Sequence, residues 1–165
     1  MTSIIVRRME VDDIEGYNAC LDVVAREGKF LAHNMAPSVE VSREWVVPHI
    51  QAGHAFYVAV DPVEQLIVGW CDVTPREYEC FSHCGDLGMG VLPTFRGKGI
   101  GVRLLTAALD HARQPLERVG LEVFASNNAA LQLYEGAGFV REGVFVKGRK
   151  YRGAYEDVIY MAMLF

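Results

Sequence analysis

The sequence predicts a mixed α/β domain in which one central sheet is flanked by helices, with elements in the order βααβββαβαββ. Three observations predict it. Ile14, Tyr17, Leu21 and Val24 recur at helical spacing. Short apolar runs bounded by Gly, Pro and Asp alternate with helical segments and read as strands. Residues 99–113 carry a single polar stripe (Arg103, Thr106, Asp110 and Arg113) and are otherwise almost wholly apolar, as befits a helix lying on a sheet.

Taken in order, Ile4–Met9 reads as the first strand. Asp12-Asp-Ile-Glu15 offers an N-cap with an acid three residues on, and the helix it starts is expected to end near Gly28. A less regular stretch, Phe30–Val41, leads to a second helix capped by Ser38 or Ser42. Pro48 is expected to kink or end that helix, because it has no N–H to donate. Strands His54–Val60 and Gln65–Val73 follow, joined through Asp61-Pro62, and a further strand over about Gly85–Leu92 ends at Pro93. After the helix at Gly99–Arg113 come a strand at Leu116–Ala125 and a short helix at Asn128–Glu135. Two last strands, Phe139–Val146 and Tyr155–Phe165, complete the order.

A chain of 165 residues suits one domain, residues 1–165, and is short for two. With 51% hydrophobic and 22% charged residues it is expected to fold around a core rather than stay disordered. The net charge of −5 argues against coating a nucleic acid, which needs a basic face. Neither an apolar leader in MTSIIVRRMEVDD nor a run of ~18 apolar residues is present, so a cytoplasmic protein without a membrane partner is expected. Cys20, Cys71, Cys80 and Cys84 are then expected as thiols. Cys80-Phe-Ser-His83-Cys84 has metal-like spacing but lacks a second ligand pair, so no metal is expected.

The stretch Arg96-Gly-Lys-Gly-Ile-Gly101 places three glycines and two cations at the start of the buried helix. It is not a nucleotide P-loop, because Leu92 and Gly99 stand where that loop needs a glycine and a hydroxyl. Nor is it a dinucleotide fingerprint, because Val102 stands where the third glycine belongs. What remains is an anion site: the N–H groups of a helix start, approachable because Gly97, Gly99 and Gly101 lack side chains, with Arg96 and Lys98 adding charge.

Arg96-x-x-Gly99-x-Gly101 after Val91-Leu-Pro93 closely resembles the Q/R-x-x-G-x-G/A motif of the GNAT superfamily of acyl-CoA-dependent N-acyltransferases. Leu121-Glu-Val-Phe-Ala-Ser-Asn127 and Leu133-Tyr134-x-x-x-Gly138-Phe139 resemble its second motif, at the expected separation. The resemblance covers nearly the whole chain. It implies acetyl-CoA as co-substrate, its pyrophosphate on the N–H groups of Arg96, Gly97, Lys98, Gly99, Ile100 and Gly101. It implies a pantetheine arm pairing with the backbone of Met89, Gly90 and Val91, and a contact from Asn127. It also allows a homodimer.

Acyl transfer to an amine needs a base for the amine and an acid for the departing thiolate. Tyr134 follows Asn127 by seven residues, about two helical turns, so both can face one way. The resemblance assigns Tyr134 the acid role. Glu122 is a carboxylate in an apolar strand, where burial would raise its pKa toward a useful base. Its surroundings resemble the bacterial enzymes that acetylate ribosomal-protein N-termini, in which the matching glutamate is the base. A carboxylate salt-bridged to the last strands is the plainer reading, and Tyr78, Glu79, His83 and Asp86 are rival bases.

The long region Asp12–Gly53 looks more like relatives that act on small amines or amino acids, which are the expected acceptors. Protein N-termini, lysines and a non-catalytic acyl-CoA sensor are the alternatives. Lys147, Arg149, Lys150 and Arg152 are expected in the turn between the last two strands, as a solvated hairpin or as contacts for an acidic acceptor.

Overall fold

A computed structural model describes residues 3–165. Seven strands form one sheet: β1 (Ile5–Arg8), β2 (Ala55–Asp61), β3 (Leu66–Pro75), β4 (Cys84–Val91), β5 (Arg118–Phe124), β6 (Val140–Tyr151) and β7 (Ala154–Leu164). Four helices accompany it: α1 (Ile14–Arg26), α2 (Val39–Gln51), α3 (Ile100–Ala112) and α4 (Asn128–Ala137). The strand order is β1-β2-β3-β4-β5-β7-β6. Only β4 and β5 run parallel; the remaining neighbours are antiparallel. The expected order of elements is the observed one.

Alternation along the strands feeds two cores. Cys71, Val73, Val119, Leu121 and Met161 point to the face covered by α3 and α4, against Leu104, Leu105 and Tyr134. Phe56, Val58 and Trp70 point to the opposite face, against Ile14, Tyr17 and Val24 of α1 and Val46 of α2. Each fully buried aliphatic side chain here contributes roughly 1.5–3 kcal/mol relative to exposure. On this second face α1 packs on β3 and β4, and α2 on β2.

β4 and β5 pair over only three positions: Cys84↔Arg118, Gly85↔Val119 and Asp86↔Gly120. Beyond them β4 stays with β3 as far as Val91, while β5 stays with β7 as far as Phe124. The two parallel strands therefore part like a V, and the backbone of Leu87–Val91 faces the gap without a strand partner.

Local details differ from the sequence reading. The first cap lies a turn early: the Asp13 carboxylate accepts from the Glu10 N–H at 2.8 Å and receives both Nη groups of Arg7. Ser38 caps α2, accepting from the Val41 N–H, whereas Ser42 is buried and accepts from Asn18 Nδ2 at 2.7 Å. Pro48 neither ends nor breaks α2, which continues to Gln51. Proline there forfeits only one bond in the last turn, and its carbonyl still accepts from the Ala52 N–H at 2.9 Å.

Of the basic cluster only Arg152 lies in the turn; Lys147, Arg149 and Lys150 belong to β6. β6 runs on to Tyr151, with a bulge between Phe145 and Arg149 and the reversal at Arg152-Gly153. Lys147 adopts φ 53° at the bulge, its N–H donating to Asp157 Oδ1 at 2.8 Å. Gly148 packs there so closely that a Cβ would stand 2.9 Å from Phe145 and Val158. That glycine makes a bulge, not a hairpin end.

Candidate active site

The V between β4 and β5 opens into a cleft of about 380 Å³. Met89, Gly90 and Val91 form one wall, and Glu122 and Val123 the other. The Gly97–Val102 loop and helix start form one end, Asn127, Leu133 and Tyr134 of α4 line the far side, and Val24 and Phe30 border it from the α1 side. The sequence-derived candidates thus line one cavity, except Lys98, which does not. Val24 and Phe30 were not among them, because a helix and an irregular loop give no signal of which side chains reach across a sheet.

At the loop, Gly97 and Gly99 adopt φ 71° and 77°, and a Cβ at either would meet nothing within 4 Å. Glycine is needed here for the left-handed backbone rather than to avoid a crowding neighbour. Gly99 caps α3, and the first helical bond runs from the Arg103 N–H to the Gly99 carbonyl at 3.2 Å. The N–H groups of Ile100, Gly101 and Val102 precede that bond, and all three residues line the cleft. The helix dipole adds positive potential at this end, so the loop can hold an anion on main-chain donors alone.

The two cations of the loop are already engaged. Arg96 donates Nη1 to Glu27 Oε2 at 2.9 Å, Nη2 to Glu27 Oε1 at 2.5 Å and Nε to the Val91 carbonyl at 2.8 Å. Its guanidinium also stacks 4.7 Å from the Phe30 ring. Lys98 Nζ donates to the Thr94 carbonyl at 2.9 Å and lies 5.2 Å from the Phe95 ring. Arg96 fastens the loop to β4 and to the end of α1, a tie that no local sequence pattern announces.

Tyr134 is buried, 8% exposed, and its ring lies 5.7 Å from that of Phe139. Burial, with a lesser contribution from Cys71, pushes its phenol above the ordinary range, so it holds its proton at neutral pH. Asn127 caps α4, its Oδ1 accepting from the Ala130 N–H at 3.2 Å.

Glu122 lines the cleft, but it is solvent-exposed and has no ion pair among the described residues. Neither the expected burial nor a salt bridge to the last strands is found. Its neighbours Leu121 and Val123 turn into the core under α3 and α4, and Glu122 points to the other face of β5, where it is exposed.

The rival bases lie off the cleft. Tyr78 is 76% exposed, Glu79 and His83 are exposed, and Asp86 is held by Arg76 at 2.7 Å. Cys80 is exposed and Cys84 buried on β4. Lys150 and Arg152 line a separate shallow cavity of about 650 Å³ with Arg26, Asn34 and Tyr151. Arg149 instead pairs with Glu156 at 3.2 Å and lies 4.0 Å from the Phe124 ring.

Asp72, on β3, escaped the sequence reading. It is a carboxylate in an apolar strand, the very signal that singled out Glu122, and it is the one that is buried, 7% exposed. Burial, opposed weakly by a hydrogen bond from Thr74, pushes its pKa up to about 7.

Comparison with known proteins agrees with this architecture. The family model described as Acetyltransferase (GNAT) family matches residues 24–139. The chain is 36% identical over 138 residues to the N-alpha-acetyltransferase RimI of Mycobacterium tuberculosis, covering 80% of this chain and 77% of that protein. It superposes on a GNAT-family acetyltransferase of Streptococcus pneumoniae with TM-score 0.91 and 25% identity, covering 99% of this chain and all of the other. It shares the fold of a phosphinothricin acetyltransferase of Sinorhizobium meliloti, solved in complex with acetyl-CoA, with TM-score 0.90, 17% identity and coverage of 99% and 89%. The V-shaped gap, the glycine-capped helix beside it and the family match over residues 24–139 lead to one conclusion: the chain belongs to the acetyltransferase (GNAT) family.

Proposed function

We propose that this protein transfers the acetyl group of acetyl-CoA to a primary amine, by direct attack of the amine on the thioester while both are bound. The observation that carries the reading is the parting of β4 from β5. It leaves main-chain groups of Leu87–Val91 open beside a helix start that offers anion-binding N–H groups.

In this reading Ile100, Gly101 and Val102 donate main-chain N–H groups to the pyrophosphate, and Gly97 and Gly99 give it room. Met89, Gly90 and Val91 pair with the amides of the pantetheine arm as an added strand would. Arg96 and Lys98 hold the loop in shape. Asn127 fixes the start of α4, which carries Tyr134 into the cleft. The thioester supplies the activated acyl group, and the protein supplies alignment. As the C–N bond forms and the C–S bond breaks, Glu122 takes the proton lost by the amine and Tyr134 gives its proton to the departing sulfur.

A small amine or amino acid is the acceptor this reading favours, because the long segment before β2 closes one side of the cleft. The 36% identity to an N-alpha-acetyltransferase supports a second acceptor, a peptide N-terminus. The exposed Val140, Val144, Phe145 and Val146 of edge strand β6 support a homodimer, which sedimentation tests. Thiol release from acetyl-CoA with a panel of amines, amino acids and peptides decides among the acceptors. Absence of release with every amine contradicts the enzymatic reading.

A further inference from the structure

Three glycines line the second face of the sheet where β4 and β5 part. At Gly90 a Cβ would stand 2.3 Å from the Trp70 ring, and at Gly120 it would stand 2.6 Å from the Tyr160 hydroxyl. Neighbouring side chains fill those two places. At Gly88 the three atoms nearest to a Cβ all belong to Asp72, with Oδ1 at 3.2 Å. The third place is therefore bounded by a carboxylate rather than by an aromatic ring.

The sheet register places a second carboxylate on the other side. Asp72 pairs with Gly88 across β3 and β4. Two residues beyond the last β4–β5 pair, Asp86↔Gly120, the positions that part from each other are Gly88 and Glu122. Pairs directly opposite share a face, so Asp72, Gly88 and Glu122 lie in one row, with neighbours one strand spacing, ~4.8 Å, apart before the strands diverge.

Neither carboxylate has a cation. Asp72 Oδ2 accepts only from Thr74 Oγ1 at 3.3 Å, and Oδ1 has no donor among the described residues. No fully buried side-chain oxygen there lacks a partner, so Oδ1 reaches solvent. The groups facing Asp72 are Tyr17 of α1, Phe56 of β2 and Gly88 of β4, with Cys71 and Thr74 on its own strand. None is positive at neutral pH. The nearby arginines are committed, Arg76 to Asp86 and Tyr160, Arg96 to Glu27. A buried carboxylate without a countercharge is costly, and a bound cation removes that cost.

We infer that Asp72 and Glu122 flank an ammonium subsite over Gly88, in which Asp72 binds the acceptor's amine as its cation beside the cleft. The inference rests on the acyltransferase reading for what the amine does next, but not for its binding. It makes the acceptor a compound with a cationic amine, and Asp72 a specificity residue. A pKa near 7 lets Asp72 ionise when the cation arrives.

The first test follows the carboxyl carbons of the full protein by NMR through a pH titration, with n-propylammonium chloride or with sodium chloride at equal ionic strength. The expected result is an Asp72 midpoint that falls by about one unit with propylammonium and stays put with sodium. An equal response to both salts overturns the subsite.

The second test uses the amine that releases most thiol. Asp72→Asn is expected to raise KM for that amine about tenfold or more, with kcat and acetyl-CoA affinity little changed. Gly88→Ala, whose Cβ would stand 3.2 Å from Asp72 Oδ1 and take up the place beside it, should do the same. Unchanged KM in both variants, with acetyl-CoA binding intact, refutes the subsite. If wild-type protein releases no thiol with any amine, it is the acyltransferase reading that fails, and the propylammonium titration still decides the subsite.

Discussion

Arg96 and Glu27 form a two-pronged ion pair that ties the loop before α3 to the residue ending α1, 69 positions earlier in the chain. The pair is partly buried, and the same guanidinium holds the Val91 carbonyl at the end of β4. The shape of the glycine loop thus depends on a helix across the sheet. Arg96 is a positioning residue, and its charge is balanced before any ligand arrives.

The pair yields a test with a distinctive sign. If Arg96 acts by holding the loop, Glu27→Ala should weaken acetyl-CoA binding about as much as Arg96→Ala, by calorimetry. If Arg96 instead binds phosphate directly, removing Glu27 should leave affinity unchanged or raise it. Each variant should also cost about 1–2 kcal/mol of stability in urea denaturation, with the double mutant less than additive.

Tyr134→Phe removes the proton donor and keeps the buried ring. Turnover is expected to fall about 100-fold or more, with acetyl-CoA affinity within about twofold of wild type, because the loss falls on the step rather than on binding. Parallel losses in rate and affinity contradict the acid role.

Glu122→Gln separates chemistry from structure. The side chain is exposed and has no ion pair, so stability should change by less than about 0.5 kcal/mol. The kcat/KM for the amine should drop, with acetyl-CoA affinity preserved. Retained kcat/KM in a steady-state assay places the base elsewhere.

Asp72 makes stability depend on pH. Its folded pKa, about 7, lies above the ordinary 3.8, so the folded state holds the proton more tightly than the unfolded state. Its contribution is fully present below the unfolded value and is lost as pH rises from about 4 through about 7, at a cost on the order of 2–4 kcal/mol. Relative to wild type, Asp72→Asn should therefore gain melting temperature at pH 8 compared with pH 5. An equal difference at both pH values shows that Asp72 is not perturbed.

Much of this molecule is legible in its sequence because its signals are local. Periodicity in Ile14–Val24 and along α3, glycines at a helix start and an asparagine before α4 each act within a few residues, and each marks an element where it lies. The failures are tertiary. Glu122 sits between buried neighbours, yet it points to the other face of β5 and is exposed. Asp72 sits in an equally apolar strand and is buried beneath α1. Lys147–Tyr151 extend a strand because β7 continues opposite them past a bulge. The commitment of Arg96 to Glu27 depends on where α1 ends in space, which no spacing along the chain encodes.

The central claim is that the helix start beside the β4–β5 gap binds the coenzyme A pyrophosphate on main-chain N–H groups. Gly101 probes it most directly: it lies inside α3, and a Cβ there would make ordinary contacts, 3.5 Å to Leu133 and 3.6 Å to Met89. Isothermal calorimetry with acetyl-CoA should show near-normal binding for Gly101→Ala and none for Gly101→Glu, with both variants as folded as wild type by circular dichroism. Normal acetyl-CoA binding by a folded Gly101→Glu protein contradicts the account.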